Sequence, residues 1–191
     1  MPRRPAFGTT TAALCALLAL TACEGSPEVG QPNTAPVSPP SSAASTANTP
    51  VDESKAAGDA AVAAYRRYIA VINAMTASGG IAVQDLPKVA SGVELAKSQN
   101  QAETYRVEKI KTIGGVEVLW AKAVKTGPTG ARITTASVQA CYDTSKSRAV
   151  DASGKNVRAP GTPTRWLDNR DLELIGGVWK VTKGKNQGAS C

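Results

Sequence analysis

The hydrophobic pattern of this chain changes its period once, at Gly114 and Gly115. Before these glycines, apolar residues recur at the spacing of an amphipathic helix, about 3.6 residues per turn. After them, β-branched and aromatic residues fill short segments separated by turn signals, which is typical of strands. A run of helices followed by a run of strands predicts an α+β domain, with the helices packed on one face of a curved, mostly antiparallel sheet.

The longest predicted helix comes first. It begins at Ser54, whose side chain suits a helix cap, and it ends at Gly79 and Gly80. Its apolar face spans about 100° and consists of Ala57, Ala61, Ala64, Tyr65, Tyr68, Ile72 and Met75.

Two shorter helices are predicted next. One opens near Pro87, because proline is tolerated in the first turn of a helix. The other begins at Ser91, with Glu94 at the spacing of a capping box, in which the glutamate bonds back to the backbone of the serine. Residues 105–113 fit either the end of this helix or an extended segment.

The part of the chain after Gly115 is predicted to form strands. In the second of them, alternation puts Cys141 on the face opposite to Ala140. The last two strands join at Gly176 and Gly177, a two-residue turn that suits a hairpin. The predicted strands cover residues 116–126, 132–143, 148–151, 164–175 and 178–183.

A change of composition separates this domain from the start of the chain. Residues 24–53 hold six of the 12 prolines and no aromatic residue. Such a segment buries too little apolar surface to offset its ordering entropy, so residues 23–53 are predicted to be a disordered linker. Residues 54–191 have a normal size for one domain.

The first residues have the three-part pattern of an export signal. Arg3 and Arg4 precede an apolar stretch over residues 12–20, which is too short for a membrane-spanning helix of roughly 20 residues. The sequence LTAC that follows resembles the bacterial lipoprotein signal and ends at Cys23. The resemblance implies a signal peptide over residues 1–22 and a lipid on Cys23. The alternative is an ordinary secretory signal that contains a cysteine by chance.

The four cysteines of the chain divide into two groups. With the signal peptide and lipid that the resemblance implies, Cys15 is expected to leave with the signal peptide and Cys23 to carry the lipid, so that Cys141 and Cys191 remain in the domain. In an oxidising exterior such a pair is normally joined, and a disulfide between them is expected. Two free thiols and an intermolecular bridge are the alternatives.

Several short segments together resemble one group of proteins. The residues concerned are Ala140 to Asp143, Val150 and Asp151 before the turn at Gly154, Gly177 to Val181, and Ser190 with Cys191. With three helices ahead of the strands, they resemble the small exported actinobacterial lipoproteins that contain an NTF2-like domain, over about residues 54–191. The resemblance implies a pocket between sheet and helices. It implies no activity, because this fold serves enzymes, binding modules and scaffolds.

The residues expected at such a pocket are Tyr65, Tyr68, Trp120 and Asp143. For Asp143, which follows a strand, a turn or cap role is the alternative. The three tryptophans lie in predicted strands and are expected to fill the core, with stacking on a ligand as the alternative. They are Trp120, Trp166 and Trp179.

The composition limits the chemistry of the pocket. The chain has no histidine, which removes the commonest general base and metal ligand. No catalytic residue, metal site or cofactor is therefore predicted. A carboxylate base of the ketosteroid isomerase kind is what an enzyme would use here, and its candidates are Asp143, Asp168 and Asp171.

Two functions follow as hypotheses. The first is a non-enzymatic binding or scaffold domain, held by lipid on the extracytoplasmic face of the cell membrane, for a small apolar ligand or an envelope protein. The second is a small exported enzyme that uses an aspartate in its pocket. A buried carboxylate with a raised pKa facing a cavity favours the enzyme, whereas a filled cone favours binding. Nucleic acid is not an expected partner, because the formal charge of +7 includes two signal arginines and no basic motif is rich in aromatic residues.

Overall fold

A computed structural model describes residues 50–128, 132–189 and 191. The predicted signal peptide, Cys23 and the linker up to residue 49 lie outside these residues. Within the described ranges, no helix has the combination of length and apolarity that a membrane crossing requires. Within these residues three helices come first: α1 (Pro50–Ala77), α2 (Leu86–Val89) and α3 (Gly92–Val107).

Helix α1 begins earlier than the sequence pattern predicts. It starts at Pro50, so residues 50–53, which we assigned to the linker, belong to the helix. Proline suits a first turn because that turn leaves its N–H groups without partners. Ser54 therefore lies inside the helix and does not cap it. Its hydroxyl is 2.7 Å from that of Thr126, across the gap between helix and sheet.

The other two helices match the predicted positions. Pro87 lies in the first turn of α2, and Ser91 immediately precedes α3. The ambiguous residues 105–113 divide between two elements, because α3 ends at Val107 and a short strand follows at Lys111.

In the described part of the chain, six strands follow the helices. Four of them form one antiparallel sheet in the order β2-β3-β5-β6, and β1 pairs with β4 in a separate two-stranded sheet. The strands are β1 (Lys111–Ile113), β2 (Glu117–Gly127), β3 (Thr135–Asp143), β4 (Arg148–Val150), β5 (Arg165–Ile175) and β6 (Val178–Gly188).

Strand β6 is longer than predicted. It continues past Lys183 to Gly188, and its far end pairs with the start of β5 through Gly188 and Trp166. The extra residues are polar or glycine and show no apolar alternation, so the sequence pattern stops before the strand does. Pairing with β5 supplies the hydrogen bonds that keep this segment extended.

Irregular pairing accompanies the curvature of the main sheet. The register shifts twice between β2 and β3 and once between β5 and β6, after Asp171. Such bulges add a residue to one strand and bend it. The observed architecture confirms the predicted α+β fold, with amino-terminal helices on a curved antiparallel sheet.

The core lies between the helices and one face of this sheet. Ala136, Val138 and Ala140 of β3 stand beside Leu172, Arg170 and Asp168 of β5 in register. Trp179 is buried in this core, as expected, but Trp120 and Trp166 are only half-buried and do not fill it. The largest side chains of the core cluster are Tyr65, Tyr68, Ile69, Val138, Leu172, Trp179 and Val181.

The predicted disulfide is confirmed. Cys141 and Cys191 are bonded, with their Cα atoms 5.9 Å apart. Cys141 is fully buried, and alternation along β3 places it on the face opposite to Ala140. The bridge closes a segment with a sequence separation of 50 and ties the last residue of the chain to the middle of the sheet.

Replacing both Cys141 and Cys191 with alanine should lower the free energy of unfolding by about 2–4 kcal/mol, because the unfolded chain regains the freedom that the closed loop removes. Urea unfolding followed by circular dichroism measures the change. Reduction of the unaltered protein should produce a similar loss and should have no effect on the double variant. Equal stability of the oxidised protein and the double variant would contradict this prediction.

Candidate functional site: a charged cluster in a cavity wall

A cavity of about 480 Å³ lies between helices α1 and α3 and the sheet. Its lining is mixed. Ile69, Ile72 and Val116 provide apolar surface, while buried charged side chains form another part of the wall. The polar residues of the lining include Tyr68, Glu94, Tyr142, Asp168 and Arg170.

Arg170 joins two carboxylates in this wall. Its Nε donates to Asp168 Oδ1 over 2.8 Å, and its Nη1 lies 2.6 Å from Glu94 Oε1. The side chain of Arg170 is 10% exposed, that of Glu94 5% and that of Asp168 0%. The guanidinium therefore pairs strand β5 with helix α3 at a place that water hardly reaches.

Two tyrosines of α1 complete the cluster. The Tyr65 hydroxyl donates to Asp168 Oδ2 over 2.9 Å, and the Tyr68 hydroxyl donates to Glu94 Oε1 over 2.5 Å. The guanidinium carbon of Arg170 is 5.6 Å from the centre of the Tyr68 ring, within the range of a cation–π contact. Each carboxylate thus accepts one hydrogen bond from α1 and pairs with Arg170.

The strand pattern explains how these charges reach the helices. Asp168 and Arg170 alternate with Asn169, so both face the core side of β5. Gly184 of β6 pairs with Arg170. A Cβ atom at Gly184 would collide with the Arg170 side chain and lie 2.6 Å from the carbonyl oxygen of Asn169. Glycine at this position leaves the space that the arginine occupies.

Burial determines the protonation behaviour of the cluster. It raises the pKa of Asp168 above the ordinary value for an aspartate, and Arg170 and Tyr65 oppose part of that rise. Burial also raises the pKa of Tyr65 and of Tyr68, so both hydroxyls keep their protons and act as donors. For Arg170 burial acts to lower the pKa, but Tyr68, Asp168 and Glu94 outweigh it and raise the pKa.

Glu94 has a different role from the one that the sequence predicts. The backbone N–H of Ser91 donates to the carbonyl oxygen of Val181, so no capping box forms, and Glu94 points to Tyr68 and Arg170 instead. Within the part of the chain that the structure describes, no group donates a hydrogen bond to its buried Oε2 atom. Sequence reasoning therefore missed Glu94 as a site residue, since its spacing from Ser91 had a local explanation.

Only one of the four predicted pocket residues lines the cavity. That residue is Tyr68. Tyr65 is fully buried behind the lining and contacts it through Asp168. Trp120 lies outside the lining and beside Lys122, whose ammonium is 5.4 Å from the centre of the indole. Trp120 therefore does not belong to the lining of this cavity, contrary to the prediction.

Asp143 also lies outside the cavity lining. Its carboxylate accepts the backbone N–H of Ser145 over 2.6 Å, and this bond lowers the pKa of Asp143. Asp143 therefore has the turn role that the sequence allowed as the alternative to a pocket residue. Asp171 accepts from Ser137 over 2.7 Å, on the opposite face of β5 from Asp168. Of the three candidate bases, only Asp168 is in the cavity wall.

Arg170 was not predicted either. One signal in the sequence could have indicated it. Asp168 and Arg170 are opposite charges two residues apart, so they lie on the same face of the strand as the apolar Leu172. Over the described residues, no three side chains of the metal-binding kinds converge.

The helices followed by a curved sheet, with a cavity between them, define an NTF2-like fold of the α+β class. No family model and no curated protein sequence matches the chain. The fold is similar to that of the intermembrane space region of the chloroplast protein ARC6, with a TM-score of 0.52 and 12% identity over 69% of this chain and 97% of the other. At this identity the likeness concerns the fold alone.

Two further solved structures are less similar. One, from Novosphingobium aromaticivorans, is provisionally described as an aromatic ring hydroxylase and has a TM-score of 0.41, 12% identity and coverage of 70% and 91% of the two chains. The other is a de novo β-sheet design with a TM-score of 0.36, 17% identity and coverage of 68% and 91%. Neither likeness is close enough to support an argument about this chain.

Replacing Arg170 with methionine should lower the free energy of unfolding by about 3–5 kcal/mol at neutral pH, because it leaves two carboxylates buried without their cation. The loss should shrink at acidic pH, because burial raises the pKa of Asp168 and its protonation removes one of the two charges. The free energy of unfolding of Arg170→Lys should lie between those of the unaltered protein and of Arg170→Met, because a lysine cannot bridge both carboxylates as a guanidinium does. Urea unfolding at several pH values measures these differences.

Arg165→Met is the matched control on the same strand. Arg165 lies 3.6 Å from Asp143 and its own side chain is 54% exposed, and an ion pair with a solvent-exposed partner contributes little. The unfolding midpoint of this variant should stay within experimental error of the unaltered protein. If Arg170→Met were equally harmless, the cluster would not stabilise the fold.

Proposed function

We propose that this chain is a lipid-anchored, extracytoplasmic binding domain of the exported actinobacterial lipoprotein kind, and that its cavity holds a small ligand. The observation that carries the proposal is the cavity of about 480 Å³ with buried polar groups in its wall. Ligand pockets commonly have about 300–1,000 Å³, a largely apolar lining and a few convergent polar groups.

The lining supports an amphipathic ligand better than a purely apolar one. Ile69, Ile72 and Val116 suit an apolar portion, whereas Glu94 and Arg170 suit a polar group. An envelope protein is the other form of partner under this proposal. It would use β2, an outer strand of the sheet, because strand edges can accept an added strand. On the other outer strand, β6, the carbonyl oxygen of Val181 already accepts the backbone N–H of Ser91.

An enzyme with an aspartate base, of the ketosteroid isomerase type, is the second candidate. Asp168 favours it, because this residue lines the cavity, is fully buried and has a raised pKa. Against it, both carboxylate oxygens of Asp168 already accept hydrogen bonds, and the side chain has no exposed surface for a substrate to contact. Binding is therefore the better-supported function. A turnover that Asp168→Asn abolishes, with ligand binding retained, would favour the enzyme.

The location of the protein outside the cytoplasm has two supports. The sequence LTAC at Cys23 resembles a lipoprotein signal. The disulfide between Cys141 and Cys191 is independent of that signal, and structural disulfides persist mainly in oxidising compartments. Together they support export followed by anchoring through a lipid on Cys23.

Replacing Cys23 with serine should release the protein from the membrane fraction into the medium or leave it unprocessed, because serine lacks the sulfur that takes the lipid. Cell fractionation and immunoblotting of the full chain measure the outcome. Cys15→Ser is the control, since this cysteine lies in the apolar stretch of the predicted signal and should not affect anchoring. Unchanged membrane association of the Cys23→Ser protein would contradict the proposed anchor.

The binding proposal is tested by a matched pair of substitutions on helix α3. Gln101 and Gln99 are both exposed, but only Gln101 lines the cavity. Gln101→Trp should displace a ligand that co-purifies with the protein, or weaken its binding at least about tenfold, roughly 1.4 kcal/mol. Gln99→Trp should retain the ligand. Native mass spectrometry of the exported protein measures occupancy, and equal occupancy in both variants would contradict binding in this cavity.

A further inference from the structure

The buried charges of the cavity wall do not balance. Glu94 and Asp168 both pair with the same cation, Arg170. When all three are ionised, the cluster carries one net negative charge. An uncompensated charge at such depth is unfavourable, so the cluster favours a further positive charge or a proton beside it.

Other cations of the lining are engaged elsewhere or exposed. Arg158 donates to the hydroxyl and carbonyl oxygens of Thr144 and to the carbonyl oxygen of Pro163. Lys97 is exposed, with its Nζ 3.4 Å from the carbonyl oxygen of Gly184. Lys185 also lines the cavity and is exposed.

The second observation is a carboxylate oxygen of Glu94 to which none of the described residues donates a hydrogen bond. The Oε1 atom of Glu94 is close to both Tyr68 and Arg170, but Oε2 is buried and accepts no hydrogen bond from the described residues. A buried carboxylate oxygen without a donor is costly. Because the last torsion of a glutamate has a broad minimum, a small rotation of the carboxylate can bring this oxygen toward a donor in the cavity that Glu94 lines.

The aromatic lining is the third observation. Tyr68, Tyr105 and Tyr142 all line the cavity. Tyrosine rings attract organic cations as well as apolar groups, and the attraction increases when water is excluded. The cavity thus combines an acceptor without a donor, one net negative charge in the buried cluster of its wall, and aromatic rings.

We propose that the cavity binds a small organic amine in its protonated form, with an ammonium N–H donating to Glu94 Oε2. The inference rests on the proposed function, since it names the class of ligand for the same cavity. The ammonium supplies the missing charge and the missing donor together. Charge-assisted hydrogen bonds of this kind are roughly twice as strong as neutral ones.

Three ligands of similar shape distinguish binding of a cation from binding of a neutral donor or an anion. Benzylamine is protonated at neutral pH, benzyl alcohol is a neutral donor, and benzoate is an anion that the exposed lysines would attract. Isothermal titration of the purified full chain should show that benzylamine binds at least about tenfold more tightly than benzyl alcohol, with benzoate weakest.

Glu94→Gln tests the residue itself. Glutamine keeps the shape and can still accept from Tyr68, but it removes the charge and replaces an acceptor by a donor. Affinity for benzylamine should fall about tenfold or more, and affinity for benzyl alcohol should change little. Glu103→Gln is the matched control, because Glu103 lies on the same helix, is exposed and pairs with Arg106. It should leave all three affinities unchanged.

Several results would overturn the inference. Preference for benzoate would mean that the exposed lysines select the ligand. Absence of benzylamine binding at millimolar concentration, together with a more stable Glu94→Gln protein, would mean that a proton compensates the charge. Benzylamine binding that Glu94→Gln leaves intact would place the amine elsewhere. Each of these leaves the proposed function standing if Gln101→Trp still displaces a co-purifying ligand and Gln99→Trp does not.

Discussion

The ion pairs of Arg170 with Asp168 and Glu94 join the elements that form the cavity wall. Arg170 belongs to β5 and Glu94 to α3, and the hydroxyl groups of Tyr65 and Tyr68 connect the same carboxylates to α1. At this depth a charge needs a partner, because the protein interior solvates it poorly. The relative placement of two helices and a strand is therefore tied to one guanidinium group.

The cluster also explains why this part of the core contains a cavity. A wholly apolar interior is close-packed, and its side chains fill the space between helix and sheet. Here the buried polar atoms must keep their hydrogen bonds, so the side chains stay where those bonds hold them. Gly184 of β6 contributes because it has no side chain and so leaves room for Arg170 of the neighbouring strand β5. The result is a space with apolar and charged walls, the combination on which the binding proposal rests.

Much of the fold was predictable because its signals are local. The order of helices and strands, the hairpin at Gly176 and Gly177, and the turn role of Asp143 follow from periodicity and from residues near in sequence. The boundaries were less predictable. The end of β6 carries no apolar alternation and is extended because β5 pairs with it. Likewise, Ser54 looked like a cap, although α1 begins at Pro50 and Ser54 contacts Thr126 of the sheet.

The sequence by itself determined the α+β class and the absence of histidine chemistry, since periodicity and composition are properties of the chain. It also predicted the pairing of Cys141 with Cys191 that the structure shows. The tertiary structure decided the site. Glu94 fits a capping box locally, but Arg170, far away in sequence, attracts its carboxylate into the wall. Trp120 was expected at the pocket and lies outside its lining. These outcomes depend on which strand faces which helix, and electrostatic pairing between distant residues leaves no periodic signal in a sequence.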